Sequence, residues 1–258
     1  MASHSPHIIE GVQRLAATVV ASVVLAAAPP SQAPARQTWT VPLGPGRTLS
    51  AHLTIGDVRI HGEARGDASI EIVRTAPSPA GLARIPTAVD ESSNDIRITA
   101  LQTDHGTDAA YRTDVSLRVP RDAVLREIRV MEGRLTLTSF AGRIDGFVRR
   151  GSIEATDVQG TIRLATEIGD IVASGARLVP DGLLRLRTFN GDVRLAFAER
   201  PRDARILALA LNGTIESDIP LATKNTWGPR WGEATIGAGE PVISVDVVNG
   251  RIQISLAR

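Results

Sequence analysis

The sequence predicts an all-β protein, built as a two-sheet β-solenoid. Three observations carry that prediction. A glycine returns every nine residues along one stretch: Gly133, Gly142, Gly151, Gly160 and Gly169. After most of these runs the pattern Gly-x-Φ-x-Φ, with Φ apolar: Leu135 and Leu137, Ile153 and Ala155, Ile162 and Leu164, Ile171 and Ala173. Apolar residues two apart share one face of a strand, so each unit is a half-buried strand entered through a glycine. No segment of 12 or more residues after residue 36 has a helical period. A short repeat that cannot bury its own face alone stacks into a solenoid.

The spacing predicts two strands per coil. Alternate units start at Gly133, Gly151, Gly169, Gly191 and Gly213, in steps of 18, 18, 22 and 22. The interleaved units start at Gly142, Gly160, Gly182 and Ala204, in steps of 18, 22 and 22. Both series lengthen by the same amount at the same place, so one connection stays short while the other grows. Pro180 and Pro201 fall in the longer connections, where a missing N–H costs least. The last pair starts at Pro241 and Gly250, again nine apart. Between residues 217 and 240 the period breaks, which predicts a loop thrown out of the last coils. The strand over 251–256 is then either an open edge or covered by that loop.

Residues 1–35 are read as a secretory signal. Arg14 closes a polar start, residues 15–28 are an uncharged Ala, Val and Leu run, and Ala33-Pro-Ala35 is a small-x-small cleavage site, with Ala26 to Ala28 as the alternative. The run has 14 residues, short of the roughly 20 a bilayer span needs. An uncleaved N-terminal helix is the other reading. Residues 36–258 are read as one domain. Strands are expected over 38–41 and 49–55, as a first pair, then over 56–60, 68–72, 95–100, 115–119 and 128–130. Loops are expected over 75–93 and 102–113. Asn190-Gly191, Asn212-Gly213 and Asn249-Gly250 place the residues most tolerant of positive φ at strand entries.

Composition narrows the function. There is no cysteine, which removes disulfides, thiolate metal sites and cysteine nucleophiles. Net charge is +1, so no bulk field favours nucleic acid or an anionic membrane. Lys224 is the sole lysine, which points to a genomic arginine bias. Aromatics are 3%, so extensive stacking platforms are not expected.

The early Gly56-Asp-Val-Arg-Ile60, the strand end Leu117-Arg-Val-Pro120, the runs Gly151-Ser-Ile, Gly169-Asp-Ile, Asn190-Gly-Asp-Val and Asn212-Gly-Thr-Ile, and the closing Val247-Val-Asn-Gly250-Arg-Ile-Gln-Ile254 together resemble the putative adhesin family of bacterial envelope proteins (DUF4097). The resemblance covers about residues 38–256. It implies a right-handed β-solenoid exported or displayed by bacteria, and it brings no catalytic residues.

The remaining constellations point the same way. Calcium-binding nonapeptides need Gly-Gly-x-Gly-x-Asp-x-Φ-x, and here Asp145, Asp157 and Asp170 do not recur in phase. Asp145, Glu154, Asp157 and Glu167 alternate with Arg143, Arg149, Arg150 and Arg163, as on a solvated, charge-paired sheet face. His52, His61 and His105 lack metal-ligand spacing, and Gly-x-Ser-x-Gly is absent. No catalytic, cofactor or metal set is expected. Gly133, Gly142, Gly151, Gly160, Gly169, Gly191, Gly213 and Gly250 are read as structural turns. The candidate binding element is the loop with Trp227, Arg230 and Trp231, either as a partner-contacting tip or as indoles folded over the last coil. The expected function is non-enzymatic: an exported scaffold that binds a surface, glycan or envelope protein. The alternatives are a polysaccharide-acting β-helix enzyme and a periplasmic envelope-stress partner.

Overall fold

The computed structural model describes residues 33–103, 108–224 and 228–256. Its strands, in chain order, are β1 (Ala33–Pro42), β2 (Thr48–Ile55), β3 (Val58–Glu63), β4 (Asp67–Ala76), β5 (Thr87–Glu91), β6 (Asp95–Ala100), β7 (Arg112–Pro120), β8 (Val124–Glu132), β9 (Leu135–Phe140) and β10 (Arg143–Arg150). They continue as β11 (Ile153–Val158), β12 (Thr161–Ile168), β13 (Ile171–Ala176), β14 (Leu183–Asn190), β15 (Val193–Phe197), β16 (Ala204–Ser217), β17 (Ala222–Lys224), β18 (Arg230–Ile236) and β19 (Val242–Leu256). The one helical element described is a 3-10 turn, Ala80–Arg84. No helix among the described residues is long and apolar enough to cross a membrane.

The pairing resolves into two ladders. Ladder I runs β5–β6–β2–β8–β10–β12–β14–β19–β16–β18–β17. Ladder II runs β1–β4–β7–β3–β9–β11–β13–β15, then the second halves of β19 and β16. Pairing is parallel inside each ladder and antiparallel only at the ends. From β8 to β15 the chain alternates ladders strand by strand. The partner offset is 18 residues for Ile144↔Ile162 and 22 for Ile162↔Leu184, as the glycine steps predict.

Both ladders turn their alternate apolar residues into one core. It holds Leu135 and Leu137 of β9, Ile144 and Val148 of β10, Ile153 of β11 and Ile162 of β12. Each such side chain contributes roughly 1.5–3 kcal/mol by leaving water. Gly146, where the repeat loses its second apolar residue, shows how closely the ladders approach. A Cβ there would lie 2.7 Å from Leu135 Cδ2 and 2.9 Å from Leu164 Cδ2.

The glycines stack in columns at the corners. At one corner Gly56, Gly133, Gly151, Gly169, Gly191, Gly250 and Gly213 lie on successive strands. A Cβ on Gly169, whose φ is +141°, would sit 1.8 Å from the Gly151 carbonyl oxygen. The corner is therefore closed to any side chain, for space as well as for φ. The Asp after the glycine has its own task. Asp57 accepts a hydrogen bond from the Arg134 N–H, Asp170 from the Asp192 N–H and Asp192 from the Arg251 N–H, at 2.8–3.0 Å. The Gly-Asp-Φ sequence thus supplies a turn and a cap for the next coil's backbone.

Several expectations need correction. Strands β1 and β2 do not pair with each other; β1 pairs with β4, and β2 with β6 and β8. The segment expected as a loop over 75–93 contains the 3-10 turn and β5. The break over 217–240 is not wholly loop, since β17 and β18 form an antiparallel extension of β16. The strand over 251–256 is neither an open edge nor covered by the 217–240 segment, because β19 lies between β14–β15 and β16. The coil order is interrupted similarly at the start, where β2 sits between β6 and β8. The asparagines do not take positive φ. Asn212 Nδ2 donates to Asn249 Oδ1 at 2.9 Å, and Asn249 Nδ2 to Asn190 Oδ1 at 2.6 Å, so their amides form a ladder beside the glycines. Among the described residues the left-handed non-glycine residues are instead Glu127, Ser139 and Asp157.

Candidate functional site: the outer face of ladder I

Strand β18 carries Arg230 and Trp231 at its start, both exposed. Trp231 is 39% exposed and pairs in register with Leu209 of β16 and Lys224 of β17. Trp227 lies outside the described residues, as do His105 and residues 1–32 of the signal reading. Ala33 to Ala35, the expected cleavage site, falls in β1, paired with Ala76, Thr75 and Arg74.

The outward positions beside Trp231 hold residues that the repeat reading passed over. Phe189 is 53% exposed and Leu211 41%. The registers Thr188↔Val247↔Ala210 and Asn190↔Asn249↔Asn212 put Phe189, Val248 and Leu211 side by side on β14, β19 and β16. With Leu209 and Trp231 they form a continuous apolar band on the outside of ladder I. Large apolar patches rimmed by polar groups mark interaction sites. A signal for the band exists in the sequence, since each of the three central residues immediately precedes an Asn-Gly pair.

Around the band the acids are neutralised in place. Asp246 lies 3.7 Å from Arg185 and accepts from Ser244 Oγ at 3.3 Å. Glu233 lies 2.9 Å from Arg205. Of the acids singled out in the sequence, Asp145 faces Arg129 at 3.7 Å, Glu154 faces Arg134 at 3.4 Å, Glu167 faces Arg149 at 3.4 Å, and Asp157 pairs with Arg177. These carboxylates are spread over both ladders, each with its own guanidinium. His52 lies 3.6 Å from Glu127, and no three His, Asp or Glu among the described residues converge as a metal-ligand group would. An open cleft of about 390 Å³ lies between the long connections, lined by Arg177, Asp181, Glu199, Arg202, Asp203 and Glu240 among others. Its Asp203 is engaged in structure, accepting the Ala238 N–H at 2.8 Å.

Comparison with known proteins gives a likeness of fold. A crystal structure of a putative cell adhesion protein from Clostridium sporogenes aligns over 87% of this chain and 100% of its own, at 11% identity, with a TM-score of 0.52. A putative adhesin from Bacteroides fragilis aligns over 86% and 97%, at 13% identity, with a TM-score of 0.31. No family model and no curated protein matches the sequence.

Proposed function

We propose that this chain is an exported, non-enzymatic binding protein of the adhesin type, and that it holds its partner on the outer face of ladder I. The observation that carries the reading is the band of Phe189, Val248, Leu211, Leu209 and Trp231, set on a rigid stack of hydrogen-bonded strands. Leaving such a band in water costs roughly 25 cal/mol for each Å² a partner would cover. The scaffold is a right-handed two-sheet β-solenoid of DUF4097 type. Strand alternation from β8 to β15, the parallel registers and the shared core support the solenoid. The hand follows from the strong preference of parallel crossovers for right-handed connection. Residues 1–35 supply the export signal, leaving one domain over 36–258. The fold likeness to a protein named for cell adhesion agrees with a surface role.

Two measurements test this. Fractionation with mass spectrometry of the mature N-terminus is expected to place a processed chain outside the cytoplasm; an intact Met1 in the cytosol overturns export. Co-sedimentation of the purified protein with isolated bacterial envelopes is expected to pellet the wild type and leave the Phe189→Ser/Leu211→Ser variant in the supernatant. Equal pelleting of both overturns the assignment of the face.

A further inference from the structure

The apolar band continues into a line of arginines whose charges are not met among the described residues. On ladder I the register aligns Arg143 with Thr161 and Leu183, Asp145 with Arg163 and Arg185, and Phe147 with Ala165 and Arg187. Arg143 on β10, Arg163 on β12 and Arg187 on β14 therefore step two residues along for each strand crossed. All three are exposed. With strands about 4.8 Å apart and about 3.3 Å per residue, successive Cα atoms on this diagonal are about 8 Å apart. One further step reaches Val248, between Phe189 and Leu211.

Among the described residues none of these three guanidiniums makes an ion pair, although carboxylates lie close by. Asp145, the register partner of Arg163, turns to Arg129; Asp246, the partner of Arg187, turns to Arg185; Glu167, two residues beyond Ala165 on β12, turns to Arg149. The face has used its acids on other arginines and left a positive diagonal open. Among the described residues the outer face of ladder II has no such line. Its Arg59, Arg134, Arg194 and Arg251 each pair with a carboxylate.

We propose that the diagonal binds a linear, carboxylated polysaccharide, with Arg143, Arg163 and Arg187 gripping successive carboxylates and Phe189 and Trp231 lying against sugar C–H faces. This rests on the reading of ladder I as the binding face, and it names the partner. A guanidinium presents a planar fork that matches a carboxylate with two parallel N–H donors. Evenly spaced charges ending on exposed apolar side chains suit a polymer that alternates charge with apolar ring faces. The row lies in a flat sheet rather than on a protruding tip, which favours an extended chain over insertion into a bilayer.

The test uses the full-length protein and three probes: polygalacturonate, neutral dextran, and vesicles of phosphatidylcholine and phosphatidylglycerol. Binding is expected to polygalacturonate alone, weakening as salt rises. Arg163→Gln/Arg187→Gln is expected to weaken it roughly tenfold or more, as the loss of charge-assisted hydrogen bonds implies. Arg118→Gln, on ladder II, is expected to leave it unchanged. All the sites are exposed, and thermal melts of the variants establish that they are folded. Binding to vesicles but not to polygalacturonate, or equal affinity of the double variant, overturns the proposal. Envelope binding that depends on Phe189 and Leu211 without any affinity for polygalacturonate overturns the polysaccharide while leaving the binding face in place.

Discussion

The two outer faces are built from the same repeat and carry opposite surfaces. On ladder II the outward row through Thr136, Glu154, Val172, Arg194 and Gln253 is small, polar or charged. On ladder I the corresponding row through Ala165, Arg187, Asp246, Leu209 and Trp231 ends in large apolar residues, with Phe189, Val248 and Leu211 alongside. The inward faces do not differ in this way, for both contribute Ile, Leu and Val to one core. The scaffold needs only its inward period to be apolar, so the outward positions are free to vary. A run of large apolar residues on one outward face is then not required by folding, which is the ground for proposing that face as the binding surface.

The comparison is broken most severely at the corner that joins the faces. Gly169→Val would place a branched side chain against the Gly151 carbonyl at φ +141°, where nothing can shift without moving the column. The expected cost is about 3 kcal/mol or more, and a thermal melt should show loss of the cooperative transition, with both faces lost together. A smaller break lies beside it. Asn249→Ala removes the middle amide of the ladder and with it the hydrogen bonds to Asn190 and Asn212. A loss of about 1–2 kcal/mol is expected by denaturant titration, and Asn212→Ala, which removes a single bond, should cost about half as much.

The faces themselves separate at the next level. Leu211→Ser on ladder I should change stability by less than about 0.5 kcal/mol while weakening envelope binding, whereas Val172→Ser on ladder II should change neither. Equal binding losses from the two would erase the distinction between the faces. The smallest effect concerns acid. Hydrogen bonding to Arg65 holds the Asp67 carboxyl below its ordinary pKa. A depressed folded pKa gives stability that is present above the unfolded value and lost as pH falls through the folded one. Asp67→Asn should therefore lower the melting temperature slightly at neutral pH and leave it nearly unchanged in strong acid, which flattens the acid limb of a melt-versus-pH curve. The pair is part-buried and lies away from the ladder I band, so binding should not respond.

The sequence by itself determined the all-β class, the alternation of inward and outward residues, the corner glycines and the growth of one connection from coil to coil. These are local matters. A strand's period of two and a corner that admits no Cβ act on each unit separately, so each leaves its mark in the residues. Tertiary structure decided which strand lies beside which. Strand β19 enters between β14–β15 and β16, and β2 between β6 and β8, because backbone hydrogen bonds are blind to sequence and one Ile- and Val-rich strand pairs as well as another. That order also assembles the candidate site. Phe189, Leu211 and Val248 each precede an Asn-Gly pair and could be read off the chain singly. Their contact follows the spatial order 189, 248, 211, which nothing local encodes. The arginine diagonal has the same origin, since Arg143, Arg163 and Arg187 form a line only once three strands lie in register.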